Sequence, residues 1–153
     1  MSTLNISVTD HLYDVTAHFT NVIEFGISLQ DLLADPSKMP PEGVRIDVEF
    51  EGKISGSKIN GTVKGTDYLY MRPDGYLRLH IHAVTITDDG KNISVFGDGI
   101  STPSDNPDIF NLKENVTFLT ADPAYAWINQ LQVWAQGSIV LSKGEIKVSG
   151  YSA

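Results

Sequence analysis

The sequence predicts an all-β domain: an antiparallel up-and-down β-barrel of about eight strands with one or two short helical turns. Three observations carry that expectation. Apolar and polar residues alternate with a period of two through much of the chain, the pattern of strands with one buried and one wet face. Turn chemistry interrupts the alternation at Pro73-Asp74-Gly75, Asp88-Asp89-Gly90 and Ser142-Lys143-Gly144, where Gly supplies the left-handed position a tight reversal needs. Finally, 153 residues suit a single domain, 1–153, with a sizeable core.

Taken in order, Tyr13, Val15, Ala17 and Phe19 alternate with Asp14, Thr16 and His18, which predicts the first strand. Ser28 is placed to cap a short helix over Leu29–Ala34, ended by Pro36, and Asp35 to Gly43 carries three prolines and reads as a loop. Val44, Ile46, Val48 and Phe50 then face one way while Arg45, Asp47, Glu49 and Glu51 face the other. Turns are expected at Ser55-Gly56-Ser57-Lys58 and at Asn60-Gly61. Strands are expected over Thr66–Arg72, Tyr76–Thr87 and Asn92–Ile100, then near Asn115–Thr120, Trp127–Leu141 and Glu145–Tyr151. Ser101 to Asp108 is expected to be a loop, and Pro123–Ala126 a second helical turn.

Composition narrows the function classes. Eleven Lys and Arg against 19 Asp and Glu give a net charge of −8, which repels phosphate backbones and anionic headgroups. Neither nucleic acid nor a membrane is therefore an expected partner. The absence of cysteine removes disulfides, thiolate nucleophiles and Cys-held metals. Met1 to Asp10 has no basic stretch followed by an apolar core, so no secretory leader is expected and a cytoplasmic setting is.

Three segments together resemble the uncharacterised protein family 0311, also called domain of unknown function 3237. They are Arg72-Pro73-Asp74-Gly75, Thr87-Asp88-Asp89-Gly90 and Asp122-Pro123-Ala124-Tyr125-Ala126-Trp127-Ile128-Asn129. The resemblance runs from about Gly56 onward and implies a lipocalin-like antiparallel barrel with no general assigned chemistry. His80 stands where the family tends to have Asp, and Asp98 where it tends to have Arg.

Hairpin geometry then defines a candidate site. A three-residue reversal at Pro73–Gly75 sets Arg72 opposite Tyr76, Tyr70 opposite Arg78, Tyr68 opposite His80 and Thr66 opposite His82. A three-residue loop at Asp88–Gly90 would set His82 opposite Phe96 and His80 opposite Asp98, whereas a two-residue Asp89-Gly90 loop would slip this by one residue. The resemblance implies the first register, because an Asp–Arg pair replaced by His80–Asp98 keeps unlike charges facing across the strands. One side of three strands thus gathers imidazole, phenol, carboxylate and guanidinium. The expected roles are His80 as acid or base, Asp98 as its orienter and Tyr68 as hydrogen-bond donor. Arg72 and Arg78 would hold an anionic group, with Tyr70, His82, Trp134 and Asn129 as further ligand contacts. Trp127 and Trp134, seven apart in one expected strand, would point to opposite faces.

His80 and His82 form His-x-His on a strand, as metal-binding barrels do, but no second His motif and no suitably spaced Glu completes a cupin-like set. No metal and no cofactor are expected. The leading expectation is a small-molecule-binding barrel, with metal-free acid/base chemistry of isomerase, cyclase or lyase type. The rival is a non-catalytic binding protein or a homo-oligomeric assembly built through exposed strands.

Overall fold

A computed structural model describes residues 3–5 and 7–152. Met1, Ser2 and Ile6, part of the stretch in which no leader is expected, lie outside the described residues, as does Ala153. Eight strands form one closed antiparallel barrel in chain order. They are β1 (Asp10–Glu24), β2 (Val44–Ser55), β3 (Asn60–Met71), β4 (Leu77–Thr87), β5 (Asn92–Pro103), β6 (Ile109–Leu119), β7 (Val133–Val140) and β8 (Glu145–Ser152). Each pairs with the next, and β1 pairs with β8, from Asp10↔Ser152 to His18↔Glu145. Closure leaves no free sheet edge, which removes the unpaired N–H and C=O rows that invite aggregation.

Both hairpins form as expected. The Arg72 N–H donates to the Tyr76 carbonyl at 2.8 Å, and the Thr87 N–H to the Lys91 carbonyl at 2.8 Å. Gly75 and Gly90 take φ of 86° and 85°, a region that strains any residue with a Cβ. Other boundaries differ from expectation. Asn60-Gly61 begins β3 rather than making a turn, β5 runs on to Pro103, and β6 starts at Ile109. Trp127 sits in a 3-10 turn over Ala126–Gln130 rather than in a strand. Hydrogen-bonded ladders continue through polar residues that carry no alternation, so period alone undercounts strand length.

The even positions of β2 and the odd positions of β3, β4 and β5 point into the barrel. Val44, Ile46, Val48, Ile54, Val63, Leu69, Met71, Leu77, Leu79 and Ile93 are all buried there. Two connections cover the ends. Helix α1 (Leu29–Ala34), capped by Ser28 Oγ accepting from the Asp31 N–H at 3.0 Å, buries Leu32 at one end. The turn at Ala126–Gln130, between β6 and β7, buries Ile128 at the other. Among the described residues no helix is long and apolar enough to cross a membrane.

Candidate functional site

The registers keep the expected pairs on one side of the sheet, although Tyr68 and His80 form no ladder pair because the His80 N–H turns to the Asp67 carboxylate. His80 lies across from Asp98 and His82 from Phe96, while Thr66 faces His82 and Tyr70 faces Arg78. This shared side is, however, the outer wall of the barrel. His80, His82 and Arg78 are exposed, and Tyr68 keeps 39% of its surface in solvent.

The groups on that wall are already engaged with one another. His80 Nε2 lies 3.1 Å from His82 Nε2, while Asp98 Oδ1 accepts from Asn115 Nδ2 at 3.1 Å. Among the described residues the His80 ring has no hydrogen bond to Asp98. Arg72 is held by Asp74 at 2.5 Å, and the Tyr70 hydroxyl donates to the Glu42 carbonyl at 2.8 Å. Trp134 is 52% exposed on the outside of β7. Asn129 spends its amide on the backbone: Oδ1 accepts from the Thr120 N–H at 2.8 Å and Nδ2 donates to the Thr120 carbonyl at 2.7 Å. It ties the capping turn to β6.

The opposite side of the same strands encloses a cavity of about 90 Å³ lined from all eight strands. Its wall is mostly aliphatic and aromatic, with Val15, Val48, Ile81, Val95, Val116 and Phe118 among the contacts. Three ionisable residues face it: Asp67 on β3, Glu114 on β6 and Tyr13 on β1. By area the two acids are half-buried. Burial away from bulk water raises Asp67 to about 7, opposed by the His80 backbone N–H that donates to Oδ1 at 2.9 Å. Glu114 is likewise pushed up to about 7, first by burial and then by the charge of Asp67. Tyr13 is raised by burial and by the charge of Glu114.

Two further details mark the interior. Thr85 Oγ1 is fully buried on the cavity wall and lacks a hydrogen-bond partner among the described residues, an arrangement that costs free energy unless water or a ligand supplies one. At Gly97, an added Cβ would meet Ile81 only at 3.6 Å. The sequence reading missed Asp67 and Glu114. Each is one acid in an otherwise apolar inward row, Val63-x-x-x-Asp67-x-Leu69 and Leu112-x-Glu114-x-Val116. That interruption was the available signal.

The fold and interior define a class: closed eight-stranded barrels with a small, carboxyl-bearing interior. The model of the family described as protein of unknown function (DUF3237) matches residues 18–151, and the chain belongs to that family. A UPF0311 protein of Clostridium acetobutylicum is 32% identical over 93 residues, 52% of this chain and 59% of the relative. This chain therefore covers less than two thirds of that relative's length. A crystal structure of a protein of unknown function from the same organism superposes with a TM-score of 0.76 at 23% identity, over 94% of this chain and 96% of the other. An enzyme from Penicillium herquei superposes at 0.67 and 18% identity, over 99% of each chain. At these identities the structural matches establish the fold.

Proposed function

We propose that the barrel binds a small organic molecule, or one ring or short arm of a larger one, in its interior, where Asp67 and Glu114 transfer protons. The carrying observation is the presence of these two carboxyl groups on one otherwise apolar cavity. Two acids raised to about 7 supply, near neutral pH, a proton donor and a proton acceptor in the same enclosure. A catalytic pKa near the working pH is where acid–base catalysis is most efficient. The reactions this suits are metal-free isomerisation, cyclisation or elimination.

The interior supports this reading better than the outer wall around His80, Tyr68 and Asp98. Electrostatic groups act most strongly where water is excluded, and that wall is open to solvent. Among the described residues no Lys, Arg or His lines the cavity, so an uncharged or cationic ligand fits and a carboxylate or phosphate does not.

The test is ligand-observed NMR with a panel of small cyclic ketones, enones, phenols and lactones. Bound carbonyl compounds are then followed for α-hydrogen exchange in D2O. Asp67→Asn and Glu114→Gln should each slow exchange by roughly 10²–10⁴-fold, and Gly97→Leu, which grows into the cavity, should abolish binding. Binding that survives Gly97→Leu, or exchange untouched in both carboxyl variants, would refute the proposal.

A further inference from the structure

The imidazole pair on the outer wall, left without a role by the interior site, has a geometry of its own. His80 and His82 stand two apart on β4, so both rings leave the same side of the strand. Their Nε2 atoms converge to 3.1 Å. Two metal–nitrogen bonds of about 2.0–2.1 Å, at the angles of square-planar or tetrahedral coordination, hold the donors about 2.8–3.4 Å apart. The two nitrogens already stand at a chelating distance.

Neighbouring rings fix this arrangement. Tyr68, from β3, lies 6.3 and 6.0 Å from the His80 and His82 ring centroids. Phe96, from β5, lies 5.6 and 5.4 Å from them, both contacts edge-to-face. Aromatic side chains on both adjacent strands restrict the rotamers of the pair, so little ordering entropy remains to oppose binding. Asp98 sits directly across from His80, while Arg78 precedes it by two residues on the same side and opposes a cation. The protein's net charge of −8 favours cations overall.

We propose that His80 and His82 form a two-toothed chelating site for a late first-row divalent cation, Cu²⁺, Ni²⁺ or Zn²⁺. Imidazole nitrogen suits these ions, whereas Mg²⁺ and Ca²⁺ require oxygen donors. Among the described residues no set of three or more His, Cys, Asp or Glu could hold a metal. The pair therefore supplies two ligands and leaves the remaining positions to water or to a donor from outside.

The experiment is calorimetric titration of the untagged protein with NiCl₂ and ZnCl₂, with MgCl₂ as comparison. One Ni²⁺ per chain is expected and no Mg²⁺. His80→Ala and His82→Ala should each weaken Ni²⁺ binding by roughly a hundredfold, because losing one tooth forfeits the intramolecular advantage of the second. Both side chains are exposed, and circular dichroism checks that the variants stay folded. Glu114→Gln should bind Ni²⁺ like the parent, which separates this site from the interior one. Absence of Ni²⁺ binding, or binding that persists in both His variants and disappears with His11→Ala (His11 Nε2 lies 2.9 Å from Asp14), would overturn the proposal.

Discussion

At the residue scale, the placement of Asp67 and Glu114 makes stability depend on pH in an uncommon direction for carboxylates. Both groups hold protons more tightly when folded, at about 7, than in an unfolded chain, where they titrate near 4. Between pH 4 and 7 the folded state therefore binds more protons, and unfolding free energy falls as pH rises. The contribution is fully present below pH 4 and lost through pH 7. A shift of about 3 units corresponds to roughly 4 kcal/mol for Asp67. Asp67→Asn keeps the shape and removes the titration. Denaturant melts of this variant should show a shallower decline over pH 4–7 and a gain of roughly 2–4 kcal/mol at pH 8. A slope identical to the parent's would contradict this account.

At the element scale, two of the three segments that carry the family resemblance, Thr87–Gly90 and Asp122–Asn129, lie together in space, while Arg72–Gly75 turns at the other end of the barrel. Tyr125 donates its hydroxyl to Asp89 at 2.6 Å, and Lys91 lies 3.6 Å from Asp122. These contacts and the Asn129–Thr120 pair hold the 3-10 turn against the β4–β5 hairpin and the end of β6, with Ile128 fully buried beneath. Asn129→Ala removes both bonds to Thr120 and should cost about 1–3 kcal/mol. Hydrogen exchange should accelerate at the Thr120 and Ile128 amides before the strand centres respond. Equal acceleration throughout the barrel would mean that the turn does not open as a local unit.

At the scale of the whole molecule, closure depends on small residues where strands press together. Gly150 on β8 lies opposite Tyr13 of β1 at the closing seam, and a Cβ there would come within 2.3 Å of the Tyr13 ring. Gly52 meets the Thr16 backbone and Ala17 in the same way. Gly150→Val should overpack the seam by about 1–3 kcal/mol and lower Tm by roughly 5 °C or more. A scanning calorimetry Tm equal to the parent's would show that the seam can relax.

Strand alternation and turn glycines determined the barrel and its antiparallel order, because those features are local and have a period of two, whereas the pairing of His80 with Asp98 over a one-residue slip was decided by the observed ladder. Local pattern is blind to which side of a curved sheet is concave. His80, Tyr68 and Arg78 occupy the wet side and Asp67 and Glu114 the dry one, although a carboxylate in isolation argues for solvent. Only closure of β1 onto β8 decided it: the larger apolar set, Val48, Leu69, Ile81 and Val116 among it, had to be enclosed. Its burial outweighs the cost of carrying two acids inward, and those acids limit that cost by keeping their protons.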